Sequence, residues 1–289
     1  MIATFFIAYY LIRTLARGMK HCGLKGKARQ HLQAGVRIAL LLASLGGVAM
    51  AQTPRPTEIH DRISQATGAT NQVALTLDAC SGAFDEDLIL FLIRNRIPAT
   101  LFVTKRWLDA NPRGLTILKN NLDLFDIEDH GENHIPAVIG AGRKVYGIAG
   151  EPDLVHLRRE VLEGARAIER ATGVPPHWYR GATAMYDSVA ADEIHRLGFG
   201  IAGFSVNADA GASLKKPQVL ARLRQVRGGD VIIAHMNKPA GDTAEGLSDG
   251  LMALLRRGLV FVRLDQVDLV DMTDGVDVPT DGKRAKPSR

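Results

Sequence analysis

Two histidines four residues apart, His130 and His134 in DHGENHIP, are the first residues whose types and spacing could do chemistry. A four-residue separation can bring two imidazoles to one side of a turn, which is what a divalent transition metal asks of neutral nitrogen ligands. The plainer alternative is a pair of loop histidines bound to nothing, and the spacing alone does not decide between the two. Asp78 ends the apolar run VALTLDA, where burial and a neighbouring cation would compete to set its pKa. It could instead cap a helix opening near Phe84, but Ser81 and Asp85 stand closer to that start. His235 closes a second apolar run, DVIIAH, either as a core histidine bonded to backbone or as a titrating group at the mouth of a sheet. Arg180, in YRGATAMYD, is an ordinary surface cation or the group that orients a carboxylate base. Asp209, in NADAGAS, belongs either to a self-stabilised turn or to the same site. Cys80 is a small buried hydrophobe in the common case and a thiolate ligand in the other.

These residues need elements to hold them. Short runs rich in Val, Ile, Phe and Leu predict seven strands, at 73–79, 99–104, 123–129, 177–182, 199–206, 230–235 and 259–264. Helical periodicity fills most of the intervals, at 85–96, 112–121, 153–173, 185–198, 217–229 and 243–258, and several of these stretches stop at Gly. Repeated alternation of this kind predicts an α/β fold, a parallel sheet covered by helices, as an open doubly wound sheet or a barrel. Both collect functional groups at the C-terminal ends of their strands. Asp78, His130, Arg180, Asp209 and His235 all fall at or just after such ends. No Gly-rich phosphate loop, internal repeat or low-complexity core is present.

The chain of 289 residues is 46% hydrophobic, enough for a sizeable core, and its net charge of +5 is unevenly spread. Residues 1–51 hold seven of the 36 Lys and Arg and none of the 31 acids, which leaves 29 bases against 31 acids in the remainder. The basic excess therefore belongs to the leader and does not argue for a nucleic-acid partner. That leader reads as an export signal: basic residues precede the apolar run 38–51, which ends in Ala49-Met50-Ala51, with cleavage expected before Gln52. The run is short for a membrane span, so no stable span is expected after cleavage, and the expected location is periplasmic or secreted. A second apolar stretch at 2–12 is more than a signal needs, and Met19 is the expected start. Once Cys22 leaves with the leader, Cys80 has no intrachain partner. Residues 52–69 read as a linker, 70–270 as the catalytic domain and 271–289 as a charged, disordered tail.

The order of these pieces resembles the polysaccharide deacetylases, the carbohydrate esterases that contain the NodB homology domain. Their first motif, a strand ending Thr-Phe-Asp-Asp-Gly, is similar to TLDAC at Thr76 to Cys80. Their His-Ser/Thr-x-x-His resembles HGENH at 130–134, and their Arg followed by small residues and Pro resembles Arg180 and its neighbours. A fourth motif supplies an Asp, here Asp209, and Leu-x-His resembles Ile233-Ala234-His235. The likeness runs unbroken from about residue 70 to 268. It implies a distorted, incomplete (β/α)7 barrel and a metal-dependent hydrolase that removes acetyl groups from an acetylated polysaccharide or oligosaccharide, an N-acetylglucosamine polymer foremost. Carried over residue by residue, it makes His130 and His134 metal ligands, Asp78 the general base and Arg180 the group that holds it. His235 becomes the general acid and Asp209 its orienting partner. The implied cofactor is a divalent cation, Zn²⁺ first, with Co²⁺ or Ni²⁺ as alternatives.

The sequence departs from the pattern in two places. Ala79 stands where the family has its third metal ligand, so Asp78, Cys80 or additional water must complete the coordination. Gly181-Ala182-Thr183 replaces the usual prolines, which predicts a less rigid loop after Arg180. Ala79 also supports a different class of function, a catalytically degenerate carbohydrate-binding protein on the same barrel. With two Trp and five Tyr, no aromatic platform for a sugar ring stands out in the sequence.

Overall fold

The protein's structure is a computed structural model that describes residues 55–64 and 70–273. The expected leader at 1–51 and most of the expected tail lie outside the described residues. Eight strands form one parallel sheet: β1 (Gln72–Ala79), β2 (Ala99–Val103), β3 (Phe125–Asp129), β4 (Trp178–Tyr179), β5 (Gly200–Ile201), β6 (Val206–Asn207), β7 (Val231–His235) and β8 (Val260–Val262). Their order is β5-β4-β3-β2-β1-β7-β6, with β8 beside the N-terminal end of β1. The single strand expected at 199–206 is thus two, β5 and β6, and they lie at opposite ends of the strand order. Only residues 202–205 separate them, so the sheet curls until one segment serves both edges. The result is the distorted, incomplete (β/α)7 barrel that the resemblance implied.

The two-residue period of a strand sorts the side chains. Along β1, Val73, Leu75, Leu77 and Ala79 enter the main apolar core together with Leu101, Ile127 and Ile232. Ala74 belongs to a second apolar cluster with Phe102, Val231 and Ile233. Thr76 and Asp78 share the parity of Ala74, and Cys80 continues it past the strand's end. The side chain of Ala79 is fully buried in the main core, while Cys80 lies two positions from Asp78.

Among the described residues seven helices cover the sheet: α1 (Glu86–Arg94), α2 (Lys105–Ala110), α3 (Pro112–Lys119), α4 (Leu154–Thr172), α5 (Ser188–Arg196), α6 (Lys216–Leu223) and α7 (Thr243–Arg256). Asp85 caps α1, its carboxylate accepting from Leu88 N at 3.1 Å, which leaves Asp78 free of that duty. The expected helix at 185–198 begins only at Ser188, because Met185–Tyr186 pairs antiparallel with Thr57–Glu58. Helix α2 was not legible: six residues are too few to show a helical period, and it depends on Thr104, whose hydroxyl accepts from Trp107 N at 3.0 Å.

Part of the segment read as linker is built into the fold. Asp61–Ile63 pairs antiparallel with Leu269–Asp271, and the buried Asp61 carboxylate accepts from Gly203 N at 2.6 Å. Ordered structure likewise continues past the expected boundary at 270, since Met272 N donates to the His60 carbonyl at 2.7 Å. Among the described residues, no helix is long and apolar enough to cross a membrane.

Candidate active site

Adjacent parallel strands put Asp78 and His235 side by side, for they are register partners in the pairing of β1 with β7. Arg180 follows β4 and is fully buried. Its Nη1 donates to Asp78 Oδ1 at 2.9 Å and to Thr76 Oγ1 at 2.8 Å. Its Nε and Nη2 donate to the carbonyls of Ala202 and Gly203, each at 3.1 Å. Those carbonyls belong to the gap between β5 and β6, so the guanidinium satisfies backbone groups there while it braces Asp78. Phe102 supports the same group from below, with its ring centroid 4.1 Å from the guanidinium carbon. Burial alone would push the Asp78 carboxyl up, but Arg180, His130 and His235 outweigh it and hold it below its usual range.

Asp209, also fully buried, receives His235 twice, the backbone N at 2.8 Å and Nδ1 at 2.9 Å. The hydroxyl of Thr243 adds a third donor at 3.2 Å. With Nδ1 committed, Nε2 is the ring atom left for chemistry. Burial opposes charge on this ring, yet the Asp209 hydrogen bond and the Cys80 sulfur raise its pKa well above the ordinary value.

His130 and His134 lie on the loop after β3, with ring centroids 4.8 Å apart. Cys80 Sγ is 3.5 Å from His130 Nε2, and Asp78 Oδ2 is 3.8 Å from the same nitrogen. One ligand atom each from Cys80, His130 and His134 lies within 4.8 Å of the others. Burial would raise the Cys80 thiol, but hydrogen bonds from His130, His134 and His235 hold it well below its usual value. On His130 burial acts downward and is overcome by Asp78 and Cys80, which carry its pKa up to about 9. The two shifts share one cause, the close approach of Cys80 Sγ to His130 Nε2, and an entering cation would take the place of a proton there.

This donor set fits a zinc-class ion. His130 Nδ1 is hydrogen-bonded to the Arg180 carbonyl, which makes it the protonated nitrogen and turns the Nε2 lone pair toward Cys80. A thiolate and two imidazoles supply three ligands of the borderline-soft kind and leave a fourth position open.

Asp78, Cys80, His134 and His235 line one cavity of 610 Å³. Tyr146 overhangs it, 78% exposed, at the turn of a hairpin between Lys144–Val145 and Ile148–Ala149. All the residues singled out in the sequence thus converge on one place. Reasoning from the sequence gave no role to Thr76, Thr243 or Tyr146. Thr76 carried a signal in its two-residue offset from Asp78. The loop expected to be loose after Arg180 contains Thr183 and Ala184 at φ 69° and 53°, and Gly181 N donates to the Tyr186 hydroxyl at 2.7 Å.

Residues 65–202 match the family model described as polysaccharide deacetylase, which bears out the resemblance over that span. No curated protein matches the chain. A CE4-family pseudoenzyme from Bacillus anthracis is similar in structure, with 19% identity and a TM-score of 0.55 over 68% of this chain and 65% of that one. The likeness thus spans just under two thirds of that neighbour's length. The Bc1960 peptidoglycan N-acetylglucosamine deacetylase gives 18% identity and a TM-score of 0.59 over 71% of this chain and 90% of that one. A CE4 domain of a xylanase from the hindgut metagenome of Trinervitermes trinervoides gives 18% and 0.56 over 68% and 88%. At these identities the solved structures establish the fold, and they include both a protein named as a deacetylase and one named as a pseudoenzyme.

Proposed function

We propose that this chain, with the polysaccharide deacetylase pattern across residues 65–202, is an exported metal-dependent hydrolase that removes acetyl groups from a carbohydrate polymer, N-acetylglucosamine-based foremost. One observation carries the proposal: an Arg-braced carboxylate, an Asp-held imidazole and a Cys/His/His donor set converge on one cavity, which Asp78, Cys80, His134 and His235 line while His130 is buried against Cys80. A relic that only bound sugar would have no need of all three. Cys80, His130 and His134 would hold a divalent ion, which when bound supplies Lewis acidity at the acetyl carbonyl.

The chain's own groups provide the proton chemistry. Arg180 engages Asp78 Oδ1, so Oδ2 is the oxygen that accepts a proton from the attacking water. His235, protonated and fixed by Asp209, donates from Nε2 to the departing amine. The basic leader with its Ala49-Met50-Ala51 end supports export.

Acetate release from acetylated chito-oligosaccharides and xylan, assayed with and without chelator, tests the proposal. Release that stops with chelator and returns with zinc is the expected result. Sugar binding without acetate release would favour the degenerate binding protein instead.

The hairpin supports a polymeric substrate, because an exposed Tyr held over the cavity mouth offers a flat apolar face to a sugar ring. Tyr146→Ala is expected to raise KM for a chito-oligosaccharide by about 10-fold, the effect of losing one stacking contact of about 1.4 kcal/mol. A small aryl acetate should be hydrolysed as before. Equal losses on both substrates would exclude a platform role.

A further inference from the structure

We infer that Glu160 of α4 is the positioning residue that sets His134 for cation binding, an inference that rests on the metal reading above. His134 sits at φ 65°, a left-handed conformation that strains a non-glycine residue and persists only where its surroundings impose it. Its neighbours in sequence are held by one buried carboxylate. Glu160 Oε1 accepts from Asn133 N at 2.9 Å and from Ile135 N at 3.1 Å, and Oε2 accepts from Asn133 N at 3.0 Å. The main-chain carbonyl of Glu160 accepts from Glu132 N at 2.9 Å, so a single residue of α4 engages the loop on both sides of His134.

The opposite face of the loop is also held. Lys105 N and Arg106 N, at the start of α2, donate to the carbonyls of Gly131 and Glu132 at 2.9 and 3.1 Å. The sequence of the loop is fitted to the carboxylate. Gly131 lies at φ 88°, and a Cβ there would come 2.4 Å from Glu160 Oε1, so a side chain at this position would displace the acid. Where the family pattern has a hydroxyl residue, this chain leaves space that Glu160 fills. The carboxylate touches none of the reacting groups, so its effect on them passes through the placement of the His134 ring.

The test measures zinc(II) affinity of the full chain by chelator competition, together with amide exchange of Asn133 and Ile135 in the metal-free protein. Glu160→Gln keeps the shape but turns an amide NH₂ toward backbone donors. It is expected to weaken zinc binding about 10- to 100-fold, the range for groups that orient a ligand, and to speed exchange at both amides. In a His134→Ala background the same substitution should cost no further affinity, which separates action through His134 from a general loss of structure. Should Glu160→Gln not fold, Glu160→Asp, which withdraws the carboxylate by one methylene, carries the same comparison. Wild-type affinity in the variant, or an equal loss in the His134→Ala background, overturns the inference alone. A wild-type chain that takes up no zinc overturns the metal reading and the inference with it.

Discussion

Asp78→Asn is expected to lower turnover by about 10²- to 10⁴-fold, the usual contribution of a positioned general base, while zinc stays bound at wild-type stoichiometry. The amide is isosteric and can still accept from Arg180 through its oxygen, so the site keeps its shape. What disappears is the lone pair of Oδ2 that takes the proton from water, since that atom becomes an NH₂. Zinc content is the second half of the measurement. The cation donors that cluster within 4.8 Å are Cys80, His130 and His134, and Asp78 is held from the other side by Arg180. Loss of metal in the variant would make Asp78 a ligand and remove its assignment as base.

Arg180→Met is expected to cost about 3–5 kcal/mol of stability, because removing one partner of a buried ion pair strands the other. Here the stranded group is Asp78, 4% exposed, with Thr76 and the carbonyls of Ala202 and Gly203 losing their donor as well. For a domain of this size the loss corresponds to a fall in Tm of roughly 6–20 °C. Thermal unfolding of the two single variants and of Asp78→Asn/Arg180→Met completes a double-mutant cycle. The double variant should lose less than the sum, since the uncompensated charge is gone. Strict additivity would mean that the guanidinium stabilises the barrel gap independently of Asp78.

The sequence made the site legible where its residues sit at the ends of regular strands. VALTLDA and DVIIAH are apolar runs that terminate in a way that exposes Asp78 and His235 as misplaced polar groups, and the structure makes them register partners. The two-residue period also sorts the residues around Ala79: residues 78 and 80 share a side, and residue 79 turns into the core.

Other features left no local signature. The interruption at 202–205 is a consequence of barrel closure, and FGIAGFSV reads as one continuous strand because its composition cannot show which neighbours each half will find. Glu160 lies in the middle of a charged helix, where LRREVLEG suggests a solvated face, and only tertiary contact turns that carboxylate toward a loop 27 residues earlier. Tyr146 stands in GRKVYGIAG, whose two-residue strands are too short for any periodicity to register. Asp61 was assigned to a linker because its partner, Gly203 N, is 142 positions away.

The account stands on Cys80 joining the two histidines as a cation ligand, and cobalt(II) is the most direct probe of that bond. Cobalt(II) loaded into the full chain should give a thiolate-to-metal charge-transfer band in the near ultraviolet, one that vanishes in Cys80→Ser. A cobalt-loaded protein that lacks the band, or a spectrum unchanged by Cys80→Ser, would contradict it.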